Sequence, residues 1–100
     1  MVTVSIVSYP PESAKEIGKR YFELTPMPDF INVVGPYTIT KLGEGIQAIT
    51  IYKYDRSKAG EANEAIANGH MVFYGVPGYT YCLELASSAA TSAKMMGFVE

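Results

Sequence analysis

The chain has no tryptophan, one cysteine, one histidine, few charges and no long apolar run. With Cys82 alone, no disulfide can form within the chain, and a reducing compartment is expected. One histidine and one cysteine, with no carboxylate pair at ligand spacing, make no zinc or iron site, so neither metal nor cofactor is expected. Net charge is −2 and no basic run occurs, so nucleic acid is not an expected partner. Nothing approaches the ~20 apolar residues of a membrane span. The opening MVTVSIVSYPP lacks a basic lead, and its apolar run is too short for a secretory signal. The expectation is a soluble, cytoplasmic protein. Charged residues are 18% of the chain against a usual ~25%. That deficit points to surface hidden by a second copy.

What is present is a regular succession of strand and helix patterns over a single domain, 1–100. Val2, Val4 and Ile6 alternate with Thr3, Ser5 and Val7, a first strand ended by Pro10-Pro11. A helix is predicted to start within 11–14, with Ser13 and Glu16 at capping-box spacing. Ala14, Ile17, Gly18, Tyr21 and Leu24 form its apolar stripe, Glu16 and Arg20 are spaced to pair, and Gly18 is expected to allow close approach to a sheet. Residues 30–34 can be extended, Gly35-Pro36 is expected to interrupt them, and residues 37–42 (YTITKL) read as the second strand.

The turn Gly43-Glu44-Gly45 leads into GIQAITIYKYD, the longest strand pattern in the chain. Asp55 or Ser57 can cap a second helix, which is expected to run to about Tyr74, with Asn68-Gly69 as a competing stop. Residues 79–86 (YTYCLELA) read as the fourth strand. Ser87 or Ser88 then opens a short helical tail, 87–100, beyond a core of 1–86.

Strand, helix, strand, strand, helix, strand is an α+β arrangement: a ferredoxin-like βαββαβ fold, its four-stranded antiparallel sheet covered by two helices on one face. Val4/Ile6, Ile49/Ile51 and Leu83/Leu85 are the apolar choices for the helix side. Thr3, Ser5, Val7, Ala48, Thr50, Tyr52, Thr80, Cys82 and Glu84 are then expected on the bare face. A half-apolar bare face of this size suggests an interface.

In element order, length, the GEGIQAITIYKYD third strand and the VPGYTYCLEL fourth strand, residues 1–86 resemble the dimeric α/β-barrel group of small ferredoxin-like proteins. The resemblance is architectural and carries no catalytic motif. It implies a homodimer with two sheets face to face, and a small cavity between sheet and helices or between subunits. Members of the group include cofactor-free monooxygenases, haem-handling enzymes and isomerases. Without a tryptophan, nothing here matches the haem-degrading branch.

His70, the sole histidine, and Glu84, flanked by Leu83 and Leu85, are the candidate catalytic residues. Their plainer readings are a helix-end histidine near the dipole and a glutamate facing water. Tyr9, Tyr52, Thr50 and Cys82 are the candidate ligand contacts, although tyrosines favour strands for ordinary packing and Cys82 serves equally as a small hydrophobe. Three functions compete. The first is a homodimer holding a small, mostly apolar ligand. The second is a cofactor-free, monooxygenase- or isomerase-like enzyme acting on a small aromatic or unsaturated substrate. The third is an interaction module with no cavity.

Overall fold

A computed structural model describes residues 1–41, 43, 45–86, 90 and 97. The helical tail expected over 87–100 lies, apart from Ala90 and Gly97, outside the described residues. Six elements run in the anticipated order: β1 (Val2–Tyr9), α1 (Ala14–Tyr21), β2 (Asn32–Lys41), β3 (Gly45–Lys53), α2 (Ala59–His70) and β4 (Thr80–Ala86). The strands form one antiparallel sheet in the order β2-β3-β1-β4. Among the described residues, two α-helices pack on one face, giving an α+β architecture only 18 Å deep in its shortest dimension. That is the depth of one sheet and one helical layer.

Local chemistry explains the element boundaries. A single 3-10 turn, Pro11–Ser13, precedes α1. Ser13 does not form the expected capping box; its hydroxyl donates to the Pro77 carbonyl at 2.5 Å, fastening the helix start to the loop before β4. Arg20 pairs with Glu16 at 2.9 Å as its spacing anticipates. It also donates to the carbonyls of Val72 (3.1 Å) and Tyr74 (2.7 Å), which clamps α1 to the segment following α2. Asp55 accepts from the Ser57 amide at 2.9 Å and from its hydroxyl at 2.7 Å, starting a 3-10 turn that leads into α2. Asn68-Gly69 does not stop α2, which ends at His70 and continues as the 3-10 turn Met71–Phe73.

Gly35-Pro36 does not interrupt β2. Val34 pairs with Ile51 and Tyr37 with Ile49, so two residues of β2 oppose Thr50 alone, and the strand continues through a bulge. Bulges are among the few places in a sheet that accept proline. Gly35 has φ +102°, and a Cβ there would come within 2.9 Å of the Ile49 carbonyl oxygen.

The face assignment of two strands is the reverse of that expected. Thr3 and Ser5 are buried at 1% exposure beneath α2, and Thr50 and Tyr52 are buried on the same side. Val4 and Ile6 pair with Ile51 and Ile49 on the open face, where Ile6 is 37% exposed. The expectation placed apolar rows under the helices, but α2 carries polar partners for Thr3 and Ser5. Burial of those two hydroxyls therefore costs little. In β4 the expected faces hold: Leu83 packs toward the helices, and Cys82 and Glu84 lie on the open face opposite Ile6 and Val4.

The interior contains two apolar clusters. Ile31, Tyr52, Tyr54, Ala62 and Ile66 form one under α2, while Tyr9, Ile17, Phe73 and Val76 form the other under α1.

Candidate functional site

A cavity of about 730 Å³ is lined by residues of both clusters, α1 and the connector after it, and the β2–β3 side of the sheet. Its volume lies within the range of small-molecule sites. The lining is mainly apolar. Gly18 faces it with no atom within 4 Å of where a Cβ would stand, so this glycine leaves space instead of allowing the close helix-to-sheet approach expected of it. Tyr21 and Phe22 contribute to the wall next to Gly18, with rings edge-to-face at 5.8 Å.

Two buried polar arrangements lie between β1 and α2, and the first of them lines the cavity. In the first, His70 Nδ1 lies 2.8 Å from the Ile66 carbonyl oxygen, and Nε2 lies 2.7 Å from Ser5 Oγ. A carbonyl can only accept, so Nδ1 carries the proton in the neutral ring. Nε2 is then an acceptor, and Ser5 donates to it. Burial lowers the pKa of His70 below its ordinary value, the Ile66 bond opposing it only in part. Near neutral pH the ring is accordingly uncharged. Ser5 and His70 both line the cavity.

The second arrangement is a closed ring of three side chains beside the first. Thr3 donates to Asn63 Oδ1 at 2.6 Å, Asn63 Nδ2 donates to Tyr54 at 2.9 Å, and Tyr54 donates back to Thr3 at 2.7 Å. The spare Asn63 proton goes to the Ala59 carbonyl at 2.8 Å. With its members partnered, this ring holds β1 in register against α2.

The cavity gathers Tyr9, Thr50, Tyr52 and His70 from the residues singled out in the sequence. Glu84 and Cys82 are not among its lining. They lie on the other sheet face, exposed, with Cys82 Sγ 3.4 Å from Glu84 Oε1. Hydrogen bonding to that carboxylate pushes the thiol pKa up, which works against thiolate chemistry. Burial raises the pKa of Tyr52, opposed by its hydrogen bond with Thr50.

Two cavity residues escaped the sequence reading of the site. Ser5 was assigned to the bare face. Its partner His70 is 65 positions away; Ser5 and Thr3, two apart on one strand face, each lie opposite a polar residue of α2, a pairing that only the folded chain reveals. Tyr79, the first residue of the expected fourth strand, was not singled out for the site. It stacks on Phe73 at 5.3 Å and lies in the wall shared by the main cavity and a second one of about 410 Å³. Its hydroxyl is buried without a hydrogen-bond partner among the described residues. Burial, reinforced by Tyr81 and Tyr52, pushes its pKa well above the ordinary phenol value, so the hydroxyl stays protonated.

Among the described residues, no three His, Cys, Asp or Glu side chains gather as a metal site, and no helix is long and apolar enough to cross a membrane. Among known proteins, no family model matches the chain and no curated protein matches it.

Proposed function

We propose that this protein binds a small, mostly apolar molecule in the cavity between sheet and helices, as a homodimer of ferredoxin-like subunits. The observation that carries the reading is the cavity itself: apolar walls enclosing a few directed polar groups, which is the usual makeup of a ligand site. An interaction module without a cavity fits this interior less well.

The dimer rests on the open sheet face. Val4, Ile6, Ile49, Ile51, Val34 and Ile39 share it, an apolar surface with no covering layer among the described residues. Four strands spaced ~4.8 Å and eight residues rising ~3.3 Å each give a face of roughly 500 Å². Two such faces together reach the ~1,000 Å² that a specific interface needs. A second copy packing face to face would form the dimeric α/β barrel that the element order suggests. Cytoplasmic residence accords with Cys82 being a free thiol.

A cofactor-free proton-transfer enzyme is the second reading, favoured by the uncharged, oriented His70 in the cavity wall. Glu84, on the opposite face, drops out of that role, leaving His70 as the base. Native mass spectrometry of the gently purified protein tests the first reading. A mass near twice 10.9 kDa with a retained small molecule is expected. Monomers unable to retain or take up any small aromatic compound would refute it.

A further inference from the structure

The cavity has a direction. Its buried lining includes Ile17 and Phe73, which are wholly apolar. Its exposed lining comes from the end of α1, the connector after it and the edge strand β2, and includes the hydroxyls of Thr25 and Thr38. Thr38 pairs with Ala48 across β2 and β3, and both residues line the cavity, so the Thr38 side chain stands on the helix side at the rim. A bound molecule with one polar end therefore puts its apolar part inward and that end beside Thr38.

No Lys, Arg, Asp or Glu side chain is among the described lining residues, either inside or at the rim. Arg20 lies between Gly18 and Tyr21 in the chain but is committed elsewhere, to Glu16 and to the carbonyls of Val72 and Tyr74. His70 has both ring nitrogens occupied, and it is uncharged near neutral pH. Burial likewise favours the neutral forms of Tyr52 and Tyr79 in the same walls. An ion entering here sheds part of its water and gains no counter-charge.

We infer that the cavity admits uncharged ligands and refuses anions and cations of the same shape, with Thr38 at the rim meeting the ligand's polar group. This rests on the reading of the cavity as a ligand site, and it adds the ligand's charge and its orientation. Thr38 is then a specificity-determining residue: its hydroxyl suits a carbonyl or a hydroxyl, and a charge in its place would change which ligands enter.

Calorimetric titration near neutral pH with three probes of nearly the same shape tests the selection: 2-acetylnaphthalene, which is neutral, 2-naphthoate, an anion, and 2-naphthamidine, a cation. The wild-type protein is expected to bind the ketone at least about tenfold tighter than either ion. Thr38→Lys should tighten the naphthoate about two- to fivefold, weaken the amidine, and leave the ketone within about twofold. Thr38→Glu should do the reverse for the two ions. Both gains should fade as salt is raised. Thr38 is exposed on an edge strand, where charged side chains are well accepted, so both variants should melt with the wild type. If either ion binds the wild type as tightly as the ketone, the selection fails and the ligand site stands. If the ketone is preferred but neither Thr38 variant changes the binding of the ions, the role of Thr38 is overturned. If no probe binds any of the three proteins, the ligand site falls with the selection.

Discussion

Ser5 Oγ and His70 Nε2 lie 2.7 Å apart although 65 residues separate them in the chain. The contact joins the middle of β1 to the last residue of α2, and the cavity opens beside it. The same bond that orients the imidazole therefore fastens the helix to the sheet. Replacing His70 with Asn removes the acceptor for Ser5 and leaves a buried hydroxyl short of a partner. A loss of about 1–3 kcal/mol in urea denaturation is expected.

The stability of the wild type should also depend on pH through this residue. Burial lowers the folded pKa of His70 below the 6.5 of a free histidine. As pH falls below about 6.5, the unfolded chain takes up a proton that the folded chain resists. Stability is thus full above that value, declines as the solution is acidified, and levels off once pH passes the lower folded pKa. In His70→Asn this part of the pH dependence should vanish, which denaturation curves collected between pH 7.5 and 5 will show.

Gly18 and Gly35 should respond in opposite ways to an added side chain. Gly18→Leu replaces a poor helix former facing empty space. Apart from any packing gain, helix propensity alone should contribute up to about 1 kcal/mol of stability. The leucine would occupy cavity volume, so affinity for 2-acetylnaphthalene should fall at least about tenfold. Gly35→Ala places a methyl group 2.9 Å from the Ile49 carbonyl at a positive φ, and about 1–3 kcal/mol of destabilisation is expected in thermal melts.

Ile49→Glu tests the open face. In the dimer this carboxylate would be buried between sheets without a partner, whereas in a lone subunit it meets water. Sedimentation velocity should show the wild type as a dimer and the variant as a folded monomer. A wild type that sediments as a stable monomer at micromolar concentration would remove the face-to-face arrangement.

Much of the fold was legible because its elements repeat short-range rules. Alternation marked β1, the Gly43 turn and GIQAITIYKYD marked the β2–β3 hairpin, and the capping residues Asp55 and Ser57 marked the approach to α2. The faces of β1 and β3 were not legible from hydrophobicity, since Thr3 and Ser5 are buried by hydrogen bonds to residues about 60 positions away. Only the tertiary pairing reveals that those hydroxyls have partners. The bulge at Gly35-Pro36 escaped for a related reason: a proline that would end an isolated strand is tolerated once Thr50 alone lies opposite two residues. At the site, tyrosines and the single histidine were visible as chemically able residues, and Thr50 lay in a strand row. Cys82 and Glu84 were grouped with them by a face assignment that holds for β4 and reverses for β1 and β3.

The most direct test follows the backbone amide resonances of the wild-type protein during titration with 2-acetylnaphthalene. If the cavity is the binding site, saturable shifts should cluster at Ser5, Gly18, Thr50 and Gly69, which all line it, and open-face residues such as Ile49 and Cys82 should stay in place. Shifts that never saturate, or that gather on the open face, would contradict the account.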